Sequence, residues 1–279
     1  SGLTAAIYLL RSNLKVGVVE ESMPGGQVAL TAHIGNYPGF IDIDGVELAT
    51  NMYNQAMNLG VEYFSQKALQ LTKENDIFKI KLEDKELEAK TVIVATGMKH
   101  RKLNLPKEEE FTGKGICDGS LYRNKDVAVI GGGNSAVEES IYLSGLVNKV
   151  YIIHRREEFR AEASLVAKMK EIKNIELVLN EQVEALLGND SLEAIRLTSG
   201  REIFVSGLFE YIGFLPNSEL VSEFGAVNKE GFIETDQNQE TKIKGLFASG
   251  DVVSKNIRQI VTAVSEGAIA ALNAARYCR

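Results

Sequence analysis

The sequence predicts an α/β protein built from two Rossmann-like domains, one of them inserted into the other. Residues 125–160 follow the order strand, glycine triplet, helix, strand, and residues 2–20 follow the second half of that order. Two further apolar runs end in a glycine, at Gly213 and Gly250. These patterns are typical of βαβ units, in which helices connect parallel strands. Because no short period recurs, they indicate two related halves rather than a solenoid.

The central unit, residues 125–160, has the features of a dinucleotide site. Gly131 allows a tight turn, Gly133 lets the backbone approach a pyrophosphate, and Ala136 keeps the helix close to the sheet. Free N–H groups and the dipole at the start of the helix favour negative charge there. A glycine triplet alone would also fit a loop of any α/β protein. The residues expected along the nucleotide are Gly131, Gly133, Asn134, Ser135 and Ala136.

The end of the second strand indicates which dinucleotide binds. An NAD site usually has an acidic residue here, which accepts a hydrogen bond from the ribose 2′-hydroxyl. This chain has His154, Arg155 and Arg156 instead, with Arg160 one turn later. Guanidinium groups bind a phosphate through several charge-assisted hydrogen bonds. We therefore expect an NADP(H) site that includes these four residues.

The first residues predict part of a second unit. Helical spacing over residues 3–10 is followed by an apolar strand pattern that ends at Glu20. The separation of Gly2 from Glu20 matches the roughly 20 residues between a fingerprint glycine and a ribose-binding acid. Loss of the preceding central strand would leave buried backbone groups unpaired, so we expect the sequence to be trimmed ahead of Ser1. A plain surface helix followed by a strand is the alternative.

Periodicity and turn residues place the other elements. Helices are expected at 45–59, at 163–172 and after Asp251, and strands within 60–90, at 91–95, at 207–213 and from 245. Polar stretches at 106–126 and 228–244 are the expected domain crossings. One domain would then comprise residues 1–112 and 245–279, and the inserted one residues 113–244.

Composition limits the possible partners. The chain has 279 residues, a net charge of −7 and a pI of about 5.3, so neither nucleic acid nor an anionic membrane is an expected partner. No apolar run approaches the roughly 18 residues of a membrane span. The two cysteines and three histidines show no spacing for a disulfide framework or a metal site. A reducing compartment fits, and we expect the protein in the cytoplasm.

Many stretches of the chain resemble the low-molecular-weight thioredoxin reductase family of flavoproteins. The similarity covers essentially the whole chain. The matching stretches include residues 2–8, 25–27, 36–39, 95–97, 117–119, 131–139, 154–156, 250–251 and 258–259. The resemblance implies FAD in the split domain, NADPH in the inserted domain, and a homodimer.

The same resemblance implies which residues hold FAD. Glu20 would bind the adenosine ribose, Asp251 the ribityl–pyrophosphate region, and Gln259 would lie near the flavin ring. The full set is Gly2, Glu20, Gly25, Gly26, Gln27, Asn36, Thr96, Gly97, Gly250, Asp251, Arg258, Gln259 and Ile260. Simpler interpretations remain at single positions, since Asn36 could be only a turn residue and Gln259 only a helix-start residue.

The family's relay passes hydride from NADPH to FAD, then electrons to a Cys-x-x-Cys pair and to thioredoxin. Cys117 and Asp118 match the second cysteine of the pair and its neighbouring acid, which implies a catalytic role for both. The first cysteine has no counterpart, because Cys278 lies near the C-terminus. We expect the printed sequence to be interrupted between Gly115 and Cys117.

Two other functions remain open at this point. A relative without the dithiol would pass electrons from flavin to a one-electron carrier such as ferredoxin or flavodoxin. A non-catalytic nucleotide-binding redox sensor would have kept the fold and lost the relay. Steady NADPH oxidation with an added acceptor would separate the sensor from both enzymes.

Overall fold

A computed structural model describes residues 1–31, 33–116 and 122–279. These residues form two compact units. The first comprises Ser1–Lys99 and Pro216–Arg279, and the second comprises His100–Leu215. The second unit is therefore an insertion in the first along the chain, with crossings at residues 99–100 and 215–216 instead of near 112 and 244.

The elements follow one another along the chain as follows. The first unit begins with α1 (Gly2–Arg11), β1 (Gly17–Val19), a 3-10 helix (Gly26–Leu30), α2 (Gly45–Asn58), β2 (Glu62–Phe64), β3 (Gln70–Glu74), β4 (Ile77–Lys81), β5 (Glu86–Ala89) and β6 (Val92–Val94). Next come β7 (Met98–His100), α3 (Glu108–Phe111), β8 (Asp126–Gly131), α4 (Asn134–Ser144), β9 (Lys149–His154), α5 (Ala163–Lys170), β10 (Ile175–Leu179), β11 (Val183–Leu187), β12 (Ala194–Leu197), β13 (Glu202–Phe204), β14 (Gly207–Tyr211) and β15 (Phe214–Pro216). The chain ends with a 3-10 helix (Glu219–Phe224), β16 (Leu246–Ala248) and α6 (Ile260–Tyr277). The expected helices at 3–10, 45–59 and 163–172 are confirmed within a few residues.

The second unit has a parallel sheet as its centre. Its strand order is β10-β9-β8-β14, and all three pairings are parallel. Side chains alternate along β8, so that Val127 and Val129 pack with α4 and α5, while Ala128 and Ile130 pack with β11–β13. Helices thus cover one face of the sheet and the antiparallel strands β11–β13 cover the other. Both faces are buried, which explains the uninterrupted apolar run.

The first unit combines two parallel strand pairs with helices. β1 pairs with β2, and β6 pairs with β16, as separate two-stranded sheets. α1 packs against α6, and α1 and α2 bury Ala6, Ile7 and Ala56 in one small cluster. The antiparallel strands β3–β5 add Leu71 and Phe78 to a second cluster that includes Leu246.

The unit boundaries differ from the sequence expectation because polar stretches carry a few well-buried apolar side chains. Phe111 is fully buried in the core of the second unit, where Leu103 and Leu105 pack against the same cluster. Val221 and Ile233 are fully buried with the core of the first unit. Burial of such side chains contributes about 1.5–3 kcal/mol each. Composition alone made these segments resemble linkers.

Two carboxyl groups lie together in the second unit. Glu108 of α3 is buried, and its oxygens accept hydrogen bonds from the backbone N–H groups of Leu103 and Leu105. Glu210 of β14 acts electrostatically on the same site, and its own Oε1 is buried without a hydrogen-bond partner among the described residues. Burial, followed by the charge of Glu108 and hydrogen bonding with it, raises the pKa of Glu210 to about 8, and only Lys102 opposes the shift. Glu210 therefore retains its proton at neutral pH.

Glu210→Gln is expected to remove a pH dependence of stability. Between the ordinary glutamate pKa of 4.5 and about 8, folded wild type holds a proton that the unfolded chain has released. Its free energy of unfolding must therefore fall as pH rises through this window. The glutamine is neutral beside Glu108 and does not titrate, so the variant should be the more stable protein at pH 8. Thermal unfolding from pH 5 to 8 measures this.

The matched control is Glu110→Gln, which changes an exposed carboxylate of α3, the helix that carries Glu108. Its melting temperature should follow the wild-type pH profile. Parallel profiles for wild type and Glu210→Gln would contradict the assignment of the bound proton.

Candidate functional site

The glycine loop between β8 and α4 is packed closely on two sides. A Cβ on Gly131 would lie 2.5 Å from the carbonyl oxygen of Tyr211 and 2.8 Å from the Cβ of Ala136. A Cβ on Gly132 would lie 2.2 to 2.5 Å from three atoms of the His154 ring. Gly133 is different, because a Cβ there would meet no described atom within 4 Å. The open side of the loop is therefore at Gly133, next to the first residues of α4.

His154 closes the loop from the end of β9. The side chain is buried, stacks on Phe159 with ring centroids 5.3 Å apart, and its Nε2 lies 3.1 Å from the carbonyl oxygen of Glu158. Burial lowers the pKa of His154; the hydrogen bond with Glu158 opposes this, and the charges of Arg160, Arg156 and Arg155 lower it further. His154 is consequently a neutral ring at physiological pH. It packs against the glycine loop rather than offering a positive charge.

The three arginines predicted from the sequence are brought together at this loop. Arg155, Arg156 and Arg160 are all exposed, and all three act electrostatically on His154. The backbone N–H groups of Arg160 and Ala161 donate to the carbonyl oxygen of Gly132, at 2.7 and 3.2 Å. Three positive charges thus lie beside the glycine loop, on a segment that is hydrogen-bonded to it. Such a group can bind a phosphate.

Asn134, Ser135 and Ala136 form the first turn of α4. Ala136 is buried against the sheet, and Ser135 is exposed. The Asn134 amide is engaged with Glu162, the residue before α5, through two hydrogen bonds of 2.9 and 3.1 Å. The predicted first-turn residues therefore have different surroundings, and Asn134 joins two helix starts.

The first unit brings together a second set of predicted residues. Gly2 begins α1, and a Cβ there would lie 3.4 Å from that of Ala95. Thr96 and Gly97 follow β6, and the Thr96 hydroxyl donates to the carbonyl oxygen of Asn217. Gly250 follows β16, the partner of β6. The start of α1 and the ends of two parallel strands meet here, as expected for a nucleotide site in an α/β fold.

Asp251 lies three residues after β16, in a charged cluster. Glu266 of α6 accepts a hydrogen bond from the Gly250 N–H at 2.8 Å and forms an ion pair with Lys255 at 2.8 Å. Lys255 Nζ is 3.6 Å from Asp251 Oδ1, beyond hydrogen-bonding distance. That Oδ1 atom is buried and has no hydrogen-bond partner among the described residues. A buried carboxylate oxygen without a donor fits a ligand hydroxyl, such as one on a flavin ribityl chain.

Two further predicted residues meet although they are 223 positions apart in sequence. The Asn36 side-chain amide donates to the side-chain oxygen of Gln259 at 3.1 Å. Gln259 caps the start of α6, immediately before Ile260, and Arg258 donates weakly to the carbonyl oxygen of Asp251 at 3.4 Å. Gln259 is thus a helix-start residue whose side chain also contacts Asn36.

The remaining predicted residues of this unit lie around β1. Glu20 follows β1, its N–H donates to Phe64 of β2, and its Oε1 accepts from the Ser22 N–H at 3.0 Å. Burial and then the Glu20 charge raise the pKa of Tyr63 to about 12. Gly25, Gly26 and Gln27 enter the 3-10 helix, where Gly26 and Gln27 are exposed.

Cys117 and Asp118 lie outside the described residues. The interruption expected between Gly115 and Cys117 therefore lies partly outside them as well. The residues on either side are described. Ile116 forms a β-bridge with Leu208 of β14, and Tyr122 makes an edge-on contact with Phe209, with ring centroids 5.6 Å apart. Both flanks therefore contact the same strand of the second unit. Within the described part of the chain Cys278 is a free cysteine, 3.7 Å from the Thr91 hydroxyl.

Sequence reasoning missed four residues that shape these sites. The sequence does not single out Gly132, because the spacing of the fingerprint emphasises its neighbours Gly131 and Gly133. Glu162, Lys255 and Glu266 carry charges that a sequence presents as ordinary surface residues. The sequence contains one indication of these residues, because Glu266 directly precedes Gly267, which lies on the buried face of α6.

Among the helices of the described ranges, none is long and apolar enough to cross a membrane. Those same ranges contain no group of three or more histidine, cysteine, aspartate or glutamate side chains placed to hold a metal ion.

Comparison with known proteins gives a consistent result. The family described as pyridine nucleotide-disulphide oxidoreductase matches residues 1–267. The thioredoxin reductase of Mycoplasma genitalium is 43% identical over 284 residues, covering 98% of this chain and 90% of that protein. That of Bacillus subtilis is 38% identical over 288 residues, covering 99% and 91%.

A solved structure is similarly close. The crystal structure of Lactococcus lactis thioredoxin reductase in its FR conformation matches with a TM-score of 0.89 and 39% identity. The match covers 99% of this chain and 95% of that chain. The predicted fold class, two Rossmann-type domains, is confirmed by this similarity.

Proposed function

Because this chain belongs to the pyridine nucleotide-disulphide oxidoreductase family, and within it to the low-molecular-weight thioredoxin reductases, we propose that it reduces thioredoxin disulfide with NADPH, using FAD. The observation that carries the proposal is the arginine-bearing loop, hydrogen-bonded to the glycine loop through Gly132. It supports NADPH rather than NADH as the nucleotide. The chemistry beyond it follows from family membership and from Cys117 and Asp118.

The second unit is the proposed NADPH-binding domain. Gly133 and the start of α4 leave open backbone N–H groups for the pyrophosphate. Arg155, Arg156 and Arg160 bind the 2′-phosphate, which NADH lacks. The neutral ring of His154 packs against Gly132 and holds the glycine loop in place. These residues bind and orient the nucleotide and take no proton from it.

The first unit is the proposed FAD-binding domain. Asp251 accepts a hydrogen bond from the ribityl–pyrophosphate region, Glu20 binds the adenosine ribose, and the paired Asn36 and Gln259 side chains lie along the flavin. Gly2, Gly25, Gly26, Gln27, Thr96, Gly97, Gly250, Arg258 and Ile260 complete the set. When bound, FAD supplies two-electron transfer between a nicotinamide and a disulfide.

Cys117 and Asp118 are the proposed redox residues. Reduction of a disulfide to two thiols takes two electrons, which reduced flavin would supply, and two protons, one of which a neighbouring acid would supply; a protein thiol then exchanges with the disulfide of the partner. Cys117 supplies the thiol that meets the flavin, and Asp118 supplies a proton. A second cysteine must act with Cys117, and the sequence contains no Cys-x-x-Cys pair.

That absent pair favours one second candidate. A relative without the dithiol would use the same two nucleotide sites and pass electrons to a one-electron carrier such as ferredoxin or flavodoxin. Such a relative needs only the two proposed nucleotide sites. The Cys117-Asp118-Gly119 signature counts against it, because a relative of this kind normally lacks that signature.

The deciding experiment compares two acceptors with NADPH as the donor. A thioredoxin reductase reduces a bacterial thioredoxin as well as ferricyanide, and Cys117→Ser abolishes only thioredoxin reduction. Cys278→Ser, which changes the cysteine beside Thr91, is the matched control and should retain both activities. Ferricyanide reduction without thioredoxin reduction in wild type would support the second candidate, and no NADPH oxidation with either acceptor would refute both.

We also propose a cytoplasmic homodimer. The first unit exposes several large apolar side chains, namely Met23, Leu30, Phe40, Ile41 and Ile257, and exposed apolar side chains are common at interaction surfaces. Light scattering should give twice the mass of 30.6 kDa. A monomer at micromolar concentration would contradict this part of the proposal.

A further inference from the structure

Two helix starts in the second unit are joined by a reciprocal pair of hydrogen bonds. Asn134 is the first residue of α4, and Glu162 is the residue that precedes α5. Asn134 Oδ1 accepts from the Glu162 backbone N–H at 2.9 Å, and Asn134 Nδ2 donates to Glu162 Oε1 at 3.1 Å. A backbone N–H can only donate, so the orientation of the amide is fixed. Its oxygen and nitrogen both bond to the same residue.

The pair lies at the end of the loop from His154 to Glu162, which is also attached to the glycine loop by other contacts. Gly132 accepts hydrogen bonds from the N–H groups of Arg160 and Ala161, the two residues that precede Glu162. Four hydrogen bonds therefore attach residues 160–162 to the glycine loop and the first turn of α4. Upstream, the loop begins at the His154 ring, which packs on Gly132. Arg155 and Arg156 lie between these two points of attachment, and Arg160 lies at the second.

We infer that the Asn134–Glu162 pair is a positioning device that sets the preference for a 2′-phosphate over a 2′-hydroxyl. This inference rests on the proposed NADPH site. Fixing a residue costs backbone entropy, and a loop already held in place does not incur that cost again when ligand binds. The lower entropy cost strengthens the binding of ligands that contact the loop's arginines. The two residues act through those arginines.

The two nucleotides separate this role from a general structural one. NADP+ and NAD+ share the pyrophosphate, which meets the glycine loop and α4. Only NADP+ has the phosphate that the arginines bind. Loss of the pair should therefore weaken NADP+ binding much more than NAD+ binding. General damage to the unit would weaken both alike.

The test reverses the polarity of the pair. Asn134→Asp places a second carboxylate against Glu162 and removes the donor. Glu162→Gln keeps an oxygen that can accept from Asn134. The double variant Asn134→Asp with Glu162→Gln restores a donor–acceptor pair in the opposite sense, and its net charge equals that of wild type. Calorimetry on the flavin-loaded protein gives the Kd for NADP+ and for NAD+ in each case.

The ratio of the Kd for NAD+ to the Kd for NADP+ should fall about tenfold in Asn134→Asp, the usual effect of losing a hydrogen bond to a charged group. It should stay near wild type in Glu162→Gln and return toward wild type in the double variant. An unchanged ratio in Asn134→Asp, or no recovery in the double variant, overturns the inference.

Folding of the variants and the proposed NADPH site are checked separately. If Asn134→Asp does not show a wild-type melting transition, Glu162→Ala replaces it, since that change keeps the backbone N–H bond to Asn134. A matching fall in the ratio supports the inference, and an unchanged ratio overturns it. If wild type binds neither nucleotide, the proposed function fails and the inference with it; normal NADP+ preference in every variant refutes only the inference.

Discussion

Replacement of both Arg155 and Arg156 by alanine is expected to lower kcat/KM for NADPH by about 100-fold and to leave kcat/KM for NADH nearly unchanged. Each charged hydrogen bond contributes roughly 1.5–3 kcal/mol, and each 1.4 kcal/mol is a factor of ten. The two side chains are exposed and lie near His154, on the loop bound to Gly132. NADH presents no phosphate to them, so it loses nothing. NADPH and NADH oxidation with ferricyanide as acceptor gives both constants without involving Cys117.

The matched control is Arg196→Ala, which removes a partly exposed arginine of the same unit that is paired with Glu202. It should leave both constants at the wild-type values. Because the interaction joins exposed charges, the preference for NADPH should also weaken as salt is raised. Equal kcat/KM for the two nucleotides in wild type, or an equal loss for both in the double variant, would show that the arginines do not read the 2′-phosphate.

The parts of the fold that could be predicted from sequence are those set by local pattern. The run at 127–130 is apolar throughout because both faces of the parallel sheet are buried. A Cβ would clash at Gly131 and Gly132, and at Gly133 it would enter the open space beside the loop. Helix spacing likewise placed α1, α2 and α5. In each case the residues that define the element are neighbours along the chain.

Features that depend on distant partners could not be predicted from sequence. Phe111 lies in a charged stretch, yet its burial with Leu208 assigns that stretch to the second unit. The Asn36–Gln259 and Asn134–Glu162 pairs join residues far apart in sequence. Gly132 has its role because the chain returns at His154 and lays the ring over it. Tertiary packing decides all of these, and no local propensity records it.

Replacement of Asp251 by alanine is expected to remove most of the bound flavin from the purified protein. The Oδ1 atom of Asp251 is buried and has no donor among the described residues, although Lys255 lies 3.6 Å away. In the proposed complex a ligand hydroxyl supplies that donor. Loss of one hydrogen bond to a charged group corresponds to an affinity reduced by roughly 10- to 100-fold. The ratio of flavin to protein absorbance, and titration of the apoprotein with FAD, give the two readouts.

Two further variants separate flavin binding from folding. Asp251→Asn keeps an acceptor oxygen without the charge, so its affinity for FAD should lie between wild type and Asp251→Ala. Asp84→Ala, which changes an exposed carboxylate of the same unit, should retain full flavin. The apoproteins of Asp251→Ala and wild type should melt alike, because the Asp251 side chain is partly exposed and its Oδ1 has no hydrogen-bond partner in the described chain. Full flavin retention by Asp251→Ala, or a colourless wild type that takes up no FAD, would contradict the assignment of Asp251 to the flavin site.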